Sequence, residues 1–137
     1  MPPATDAAVA EGVRAAIARY THALDDGRTD DVVATFCPDG SIEIPGLGTH
    51  AGHDALREAY AGWVPRRPQR HLVLNTLVEP AGSAEATAVS DVVFLLLGRQ
   101  GWTVQLMGRY HDTLHLDDDG TWRFHLRRAE FEQPPAD

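Results

Sequence analysis

The sequence predicts an α+β fold in which N-terminal helices pack on a curved antiparallel sheet. Three observations lead there. Apolar residues recur at helical steps near the N-terminus, and long alternating segments separated by turn residues fill the second half. The 137 residues suit one domain, 1–137 with a core over about 7–131, because two domains would each be too small for a good core. Helices first and a strand meander after is an α+β pattern. Long strands must twist and curl, so helices on the concave side would enclose a cone, and its mouth is a natural ligand pocket.

Each element has its own signal. Val9, Val13, Ile17, Tyr20 and Leu24 draw one stripe on a helix over 6–24, which Asp25-Asp26-Gly27 ends. Thr29 is suited to cap a second, short helix, with Asp30 and Asp31 favouring the dipole in its first turn and Val32, Val33 and Phe36 on its buried side. Cys37-Pro38-Asp39-Gly40 stops it and turns. A short strand over 41–44 and a glycine-rich stretch over 45–52 follow. A third helix fits 53–63, with Leu56, Tyr60 and Trp63 or Val64 on its apolar face. Long strands are expected over 70–79, 84–97, 102–116 and 121–131, and the tail over 133–137 is expected to fray.

Composition excludes several function classes. The formal charge is −8, and all twelve basic residues are arginine. Without lysine there is neither Schiff-base chemistry nor a Walker-type phosphate loop. The acidic balance argues against nucleic acid as a partner. No window approaches the roughly 18 apolar residues of a membrane span, and the first residues lack the pattern of a secretory signal, so a cytoplasmic protein with no membrane partner is expected. The single cysteine, Cys37, excludes an internal disulfide and a cysteine-based zinc site, and beside Pro38 it reads as a packing residue. No metal site is expected. His50 and His53 flank a glycine turn, His111 and His115 lie about four strand residues of 3.4 Å apart, and there is no His-Glu-x-x-His helix.

Four residues stand out as candidates for chemistry. Asp25 closes the first helix, where the dipole disfavours an acid. Tyr20 precedes it by five residues, about 140° round a regular helix, so the two converge only if the helix ends or bends first. His71 opens a long strand whose alternation puts His71, Val73, Asn75 and Leu77 on one face, histidine and asparagine among apolar neighbours. Asp91 sits between Val89 and Val93 on its face and calls for an arginine or histidine partner; it could otherwise serve a bulge or loop. In Gly108-Arg109-Tyr110-His111-Asp112, Tyr110 shares a face with Asp112. One of Arg127 and Arg128 must point inward in either register. Tyr110, Asn75, Arg127, Arg128, Trp63 and Tyr60 are the candidate substrate-binding residues.

The order of these parts resembles the SnoaL-like branch of the nuclear transport factor 2-like (NTF2-like) superfamily over nearly the whole chain. The resemblance rests on Tyr20…Asp25-Asp26-Gly27, Phe36-Cys37-Pro38-Asp39-Gly40, Gly52-His53, Arg70-His71, Gly108-Arg109-Tyr110-His111-Asp112 and Gly120-Thr121-Trp122-Arg123-Phe124. It implies a cone-shaped fold with an apolar pocket, shared by polyketide cyclases, ketosteroid isomerases, scytalone dehydratase, limonene epoxide hydrolase, bile-acid dehydratases and non-catalytic members. In the bile-acid dehydratase-like group, a tyrosine, two aspartates and a strand histidine stand where this chain has Tyr20, Asp25, Asp91 and His71, and a late-strand arginine falls on Arg127 or Arg128. Scytalone dehydratase pairs an early aspartate with a strand histidine, matching Asp25 and His71. Its second histidine has no counterpart in Val93-Phe94-Leu95-Leu96, which points away from its chemistry in particular.

The expectation is therefore a cofactor-independent lyase or isomerase for a hydrophobic polyketide-, steroid- or terpenoid-like molecule. An Asp25–His71 pair would move a proton next to a carbonyl, Tyr20 would donate to the enolate oxygen, and Asp91 would orient His71 or protonate a leaving hydroxyl. Epoxide opening between Asp25 and Asp91 is one alternative, and a non-catalytic binding or assembly module is another. The resemblance also implies a homodimer through the outer sheet face; both faces of 89–97 are apolar, as such a contact requires.

Overall fold

A computed structural model describes residues 5–132; the tail expected to fray lies outside the described residues. Helix α1 (Asp6–Asp25) is capped by Thr5, whose side chain accepts from the Ala8 amide at 3.1 Å. Its buried stripe contains Val9, Val13, Ile17 and Tyr20, and Leu24, the fifth residue the spacing selects, is partly buried against the core. Helix α2 (Thr29–Ala34) begins one residue earlier than a Thr29 cap would place it. Arg28 holds the cap position without a side-chain cap, and its guanidinium instead pairs with Asp31 at 2.6 Å. Strand β1 (Phe36–Ile44), strand β2 (Gly48–Ala51) and helix α3 (His53–Ala61) follow, then β3 (Gln69–Pro80), β4 (Glu85–Gly98), β5 (Gly101–Leu116) and β6 (Trp122–Phe131). The glycine-rich stretch thus contains a strand, with Gly46 and Gly48 at positive φ bending it back as a hairpin.

The sheet has six strands in the order β2-β1-β6-β5-β4-β3. It is not wholly antiparallel: β1 runs parallel to β6, and the chain passes through α3 and four strands before β6 returns beside it. Register shifts interrupt all four of the longer pairings, and such bulges bend and twist strands. The inner face carries Ala86, Ala88, Leu114, Trp122 and Phe124, which form the core with the α1 stripe, Val32, Val33, Phe36, Leu56 and Tyr60. Gly108 permits close passage of β5 beside β6, since a Cβ there would collide with the Glu130 carbonyl.

The bulge in β3 changes what faces inward. Register holds from Gln69 to Leu74 and resumes at Leu77, with Asn75 at φ 55° between. Asn75 therefore leaves the face of His71 and Val73. Thr76 takes the inner position and bonds Ser90 at 2.9 Å, and Leu77 is left outside at 72% exposure. The expected single face of His71, Val73, Asn75 and Leu77 ends at Val73.

Candidate active site

Helix α1 stays regular through its last residue, Asp25, so Asp25 does not turn back towards Tyr20. It reaches sideways to the start of β3. One carboxylate oxygen accepts from His71 Nδ1 at 2.7 Å and from Gln69 Nε2 at 3.2 Å, and the other accepts from the His71 amide at 2.8 Å. The Asp25 side chain is 7% exposed and that of His71 16%. A carboxylate accepting from Nδ1 fixes the tautomer in which Nε2 has the free lone pair. Phe94 stacks on the imidazole at 4.6 Å and 24°, holding the ring plane.

His71 and Gln69 form part of the wall of an apolar cavity of about 220 Å³. The rest of the wall is Tyr20, Leu24, Ile42, Ile44, Leu47, Tyr60, Trp63, Phe94, Leu106, Tyr110, Ala129 and Phe131. Among the described residues, no carboxylate lines it. A wider groove of about 480 Å³ runs outside, between α1 and the edge strand β3, and touches the other flank of His71. The smaller cavity brings the histidine together with three phenols and aliphatic walls, the composition of a small-molecule site.

At the inner end, the Tyr20 and Tyr60 hydroxyls bond each other at 2.6 Å. Burial raises the Tyr20 phenol above its ordinary value, opposed by the charge of Arg127 and the Tyr60 hydrogen bond. Burial likewise lifts Tyr60 and Tyr110, so all three are neutral donors at physiological pH. Behind them Arg127 is fully buried, bonded to Asp112 at 3.0 and 3.2 Å. Its guanidinium carbon sits 3.6 Å from the Tyr110 ring centroid and 4.4 Å from that of Tyr20. The charge is thus screened from the cavity by the rings it supports.

The structure brings Tyr20, Asp25, His71, Tyr60, Trp63 and Tyr110 to this one place. It does not bring Asp91, Asn75 or Arg128. Asp91 projects from the outer face of the sheet, where Asn75 donates to it at 2.8 Å and Arg109 at 2.9 Å, and these bonds hold its carboxyl below the ordinary range. The arginine partner expected for Asp91 is present, but both lie on the far side of the sheet from His71, so Asp91 cannot orient it. Arg128 is exposed near Glu130; of the two late arginines, Arg127 points inward. Gln69, Phe94 and Asp112 escaped the sequence reading. Strand alternation could have flagged Asp112 as the partner of an inward arginine; nothing in the sequence marks the other two. Burial pushes the Cys37 thiol up to about 11, aided by nearby Asp117 and Asp39, which makes it a poor nucleophile.

The family model for the SnoaL-like domain matches residues 6–128. This chain belongs to the SnoaL-like family. No curated protein matches it. Among solved structures, this SnoaL-like chain is similar to Rv3472 of Mycobacterium tuberculosis, described as of unknown function, at 28% identity over 90% of this chain and 71% of that one, with a TM-score of 0.82. A Catenulispora acidiphila protein, solved in complex with S-DNPA, is 26% identical over 92% of this chain and 95% of its own, with a TM-score of 0.82. A Novosphingobium aromaticivorans protein described as NTF2-like with a cystatin-like fold shares the architecture at a TM-score of 0.82, with 20% identity over 92% of this chain and 83% of that one.

Proposed function

We propose that this SnoaL-like protein is a cofactor-independent acid–base enzyme that moves a proton next to the carbonyl of a compact hydrophobic molecule. The observation that carries the reading is the His71–Asp25 pair set into the wall of an apolar cavity. Asp25 is a positioning residue, since its oxygens are occupied by His71 and Gln69. His71 is then the base: Nε2 takes the acidic C–H proton, and the electron pair moves to the carbonyl oxygen. The Tyr20–Tyr60 hydroxyl pair donates to that oxygen as charge develops, in a site with little water to compete. The imidazolium then returns its proton to a departing hydroxyl, giving dehydration, or to another carbon, giving isomerisation; in an aldol-type closure the enolate carbon attacks a second carbonyl of the same molecule and the proton goes to the new alkoxide oxygen.

The cavity is smaller than the about 300–1,000 Å³ common for ligand pockets, so the ligand is compact or projects through the mouth past Leu106 and Phe131. Apolar walls suit a polyketide-, terpenoid- or steroid-like skeleton. The complex of the Catenulispora relative with S-DNPA supports small-molecule binding in this fold and supplies a first probe. Epoxide opening by water between two acids loses its second acid, because Asp91 is on the outer face. The test is a turnover screen of hydrophobic β-hydroxy and α,β-unsaturated carbonyl compounds with wild type, Asp25→Asn and His71→Ala. The account expects a compound whose conversion both variants slow by about 100-fold or more. Conversion of a confirmed substrate at wild-type rate by both variants would overturn it.

The partner we infer for the outer sheet face is a second copy of the chain. Leu72, Leu74, Leu77, Val89, Trp102, Val104 and Met107 stand exposed there, and apolar side chains gathered on one face mark a protein–protein contact.

A further inference from the structure

At the far end of β5 and β6 from the cavity, three side chains distant in sequence meet. Cys37 from β1, His115 from β5 and His125 from β6 each offer a ligand atom, and these atoms all lie within 4.8 Å of one another. His125 is the residue that the β5–β6 register skips between the Thr113–Leu126 and Leu114–Phe124 pairs, and the bulge delivers its ring against His115 at 4.5 Å and 15°. Its Nδ1 is buried with no hydrogen-bond partner among the described residues. A buried ring nitrogen without a partner is costly unless something else occupies it.

We propose that Cys37, His115 and His125 form a binding site for a divalent cation of the zinc class. Thiolate plus imidazole is the donor set zinc prefers, and an ion with bonds of about 2.3 Å to sulfur and 2.0–2.1 Å to nitrogen would draw the three atoms to within about 3.3–3.6 Å. Side-chain rotations on the order of 1 Å achieve that. A carboxylate stands behind one histidine: Glu85 accepts from His115 Nε2 at 3.0 Å, leaving Nδ1 free to ligate, while His125 Nδ1, 3.8 Å from Asp39, is the atom without a partner. A carboxylate backing a ligating histidine is the usual outer-shell arrangement of metal sites. Both histidines are partly exposed, so an ion has a path in, and binding displaces the Cys37 thiol proton to solvent. The ion would cross-link β1, β5 and β6 and take no part in chemistry at His71. The expectation that no metal binds here came from the single cysteine and from histidine spacing along the chain, and neither can show one cysteine meeting two histidines across three strands.

The experiment titrates the full chain, free of any affinity tag, with Co²⁺ and then Zn²⁺. The proposal expects a thiolate-to-cobalt charge-transfer band that one equivalent of Zn²⁺ abolishes, and a rise in Tm with Zn²⁺. Cys37→Ser loses the band, His125→Gln weakens binding by about tenfold or more, and Glu85→Gln weakens it by about 10–100-fold. No charge-transfer band in the folded wild type, or an unchanged band in Cys37→Ser, overturns the proposal. Should Cys37→Ser fail to fold, the half-exposed His115→Gln and His125→Gln decide, and wild-type cobalt affinity in both overturns it.

Discussion

Asp25 is nearly withdrawn from solvent at the end of a helix that disfavours its charge, and three donors from β3 hold it there. Its replacement by asparagine keeps the shape and can still serve the His71 amide. The new amide group, however, can donate to Nδ1 and move the imidazole proton to Nε2, which removes the base. Asp25→Asn is expected to lower turnover by about 10²–10⁴-fold with a Tm near wild type, measured by steady-state kinetics beside a thermal melt. A second residue-scale prediction concerns acid. Arg123 bonds Asp119 at 3.0 and 2.9 Å and, together with the Thr121 amide, lowers its carboxyl from an ordinary value near 3.8 to about 2. The folded value lies below the unfolded one, so this contribution is complete above about pH 4 and is lost as pH falls through 2. Asp119→Asn should flatten the acid-side fall in urea midpoint between those values; an unchanged slope would remove Asp119 from the account. At this scale the sequence spoke clearly where chemistry is unusual for its position. An acid at a helix C-terminus and a histidine opening an apolar strand face are both visible from spacing. Asp91 looked equally unusual and led elsewhere, because two apolar faces of one strand cannot be told apart without knowing which one the helices cover.

The bulge in β3 is the element that most alters the site. Up to Leu74 the strand pairs with β4 in even register; beyond it Asn75 occupies a left-handed conformation and its amide reaches Asp91. Asparagine tolerates that conformation, whereas a β-branched residue does not. Asn75→Val should cost about 1–3 kcal/mol in urea unfolding, and Asn75→Gly should recover the backbone part of that loss. Equal loss in both variants would mean that the bond to Asp91, not the backbone, matters. Alternation alone could not foresee this, since a bulge inserts one residue without a marker and reverses every side chain after it. The parallel β1–β6 pairing was hidden for a related reason. Periodicity identifies strands but not their neighbours, and a glycine-rich hairpin such as β1–β2 gives little alternation to read.

For the whole molecule, the curved sheet divides two surfaces with two roles. Its concave side, closed by α1 and α3, holds the cavity, the His71–Asp25 pair and the buried Arg127–Asp112 support. Its convex side exposes apolar side chains around the Asn75–Asp91–Arg109 cluster in the single chain. Light scattering at micromolar concentration should report a dimer, and Met107→Glu should shift it to monomer; a wild-type monomer would leave the outer face unexplained. The overall architecture was the most legible feature, because the order of helices, turns and long strands survives errors of a few residues at each boundary. The substrate was the least legible, because cavity shape depends on contacts such as Tyr20 with Tyr60 that join residues forty positions apart. In the proposed reaction His71 Nε2 removes a proton from carbon inside the cavity. The direct measurement is exchange of α-protons of a bound hydrophobic ketone in D₂O, followed by NMR for wild type and His71→Gln. The account predicts deuterium incorporation catalysed by wild type and slowed by about 100-fold or more in the variant. Equal incorporation by the two proteins, with the ketone shown to be bound, would contradict it.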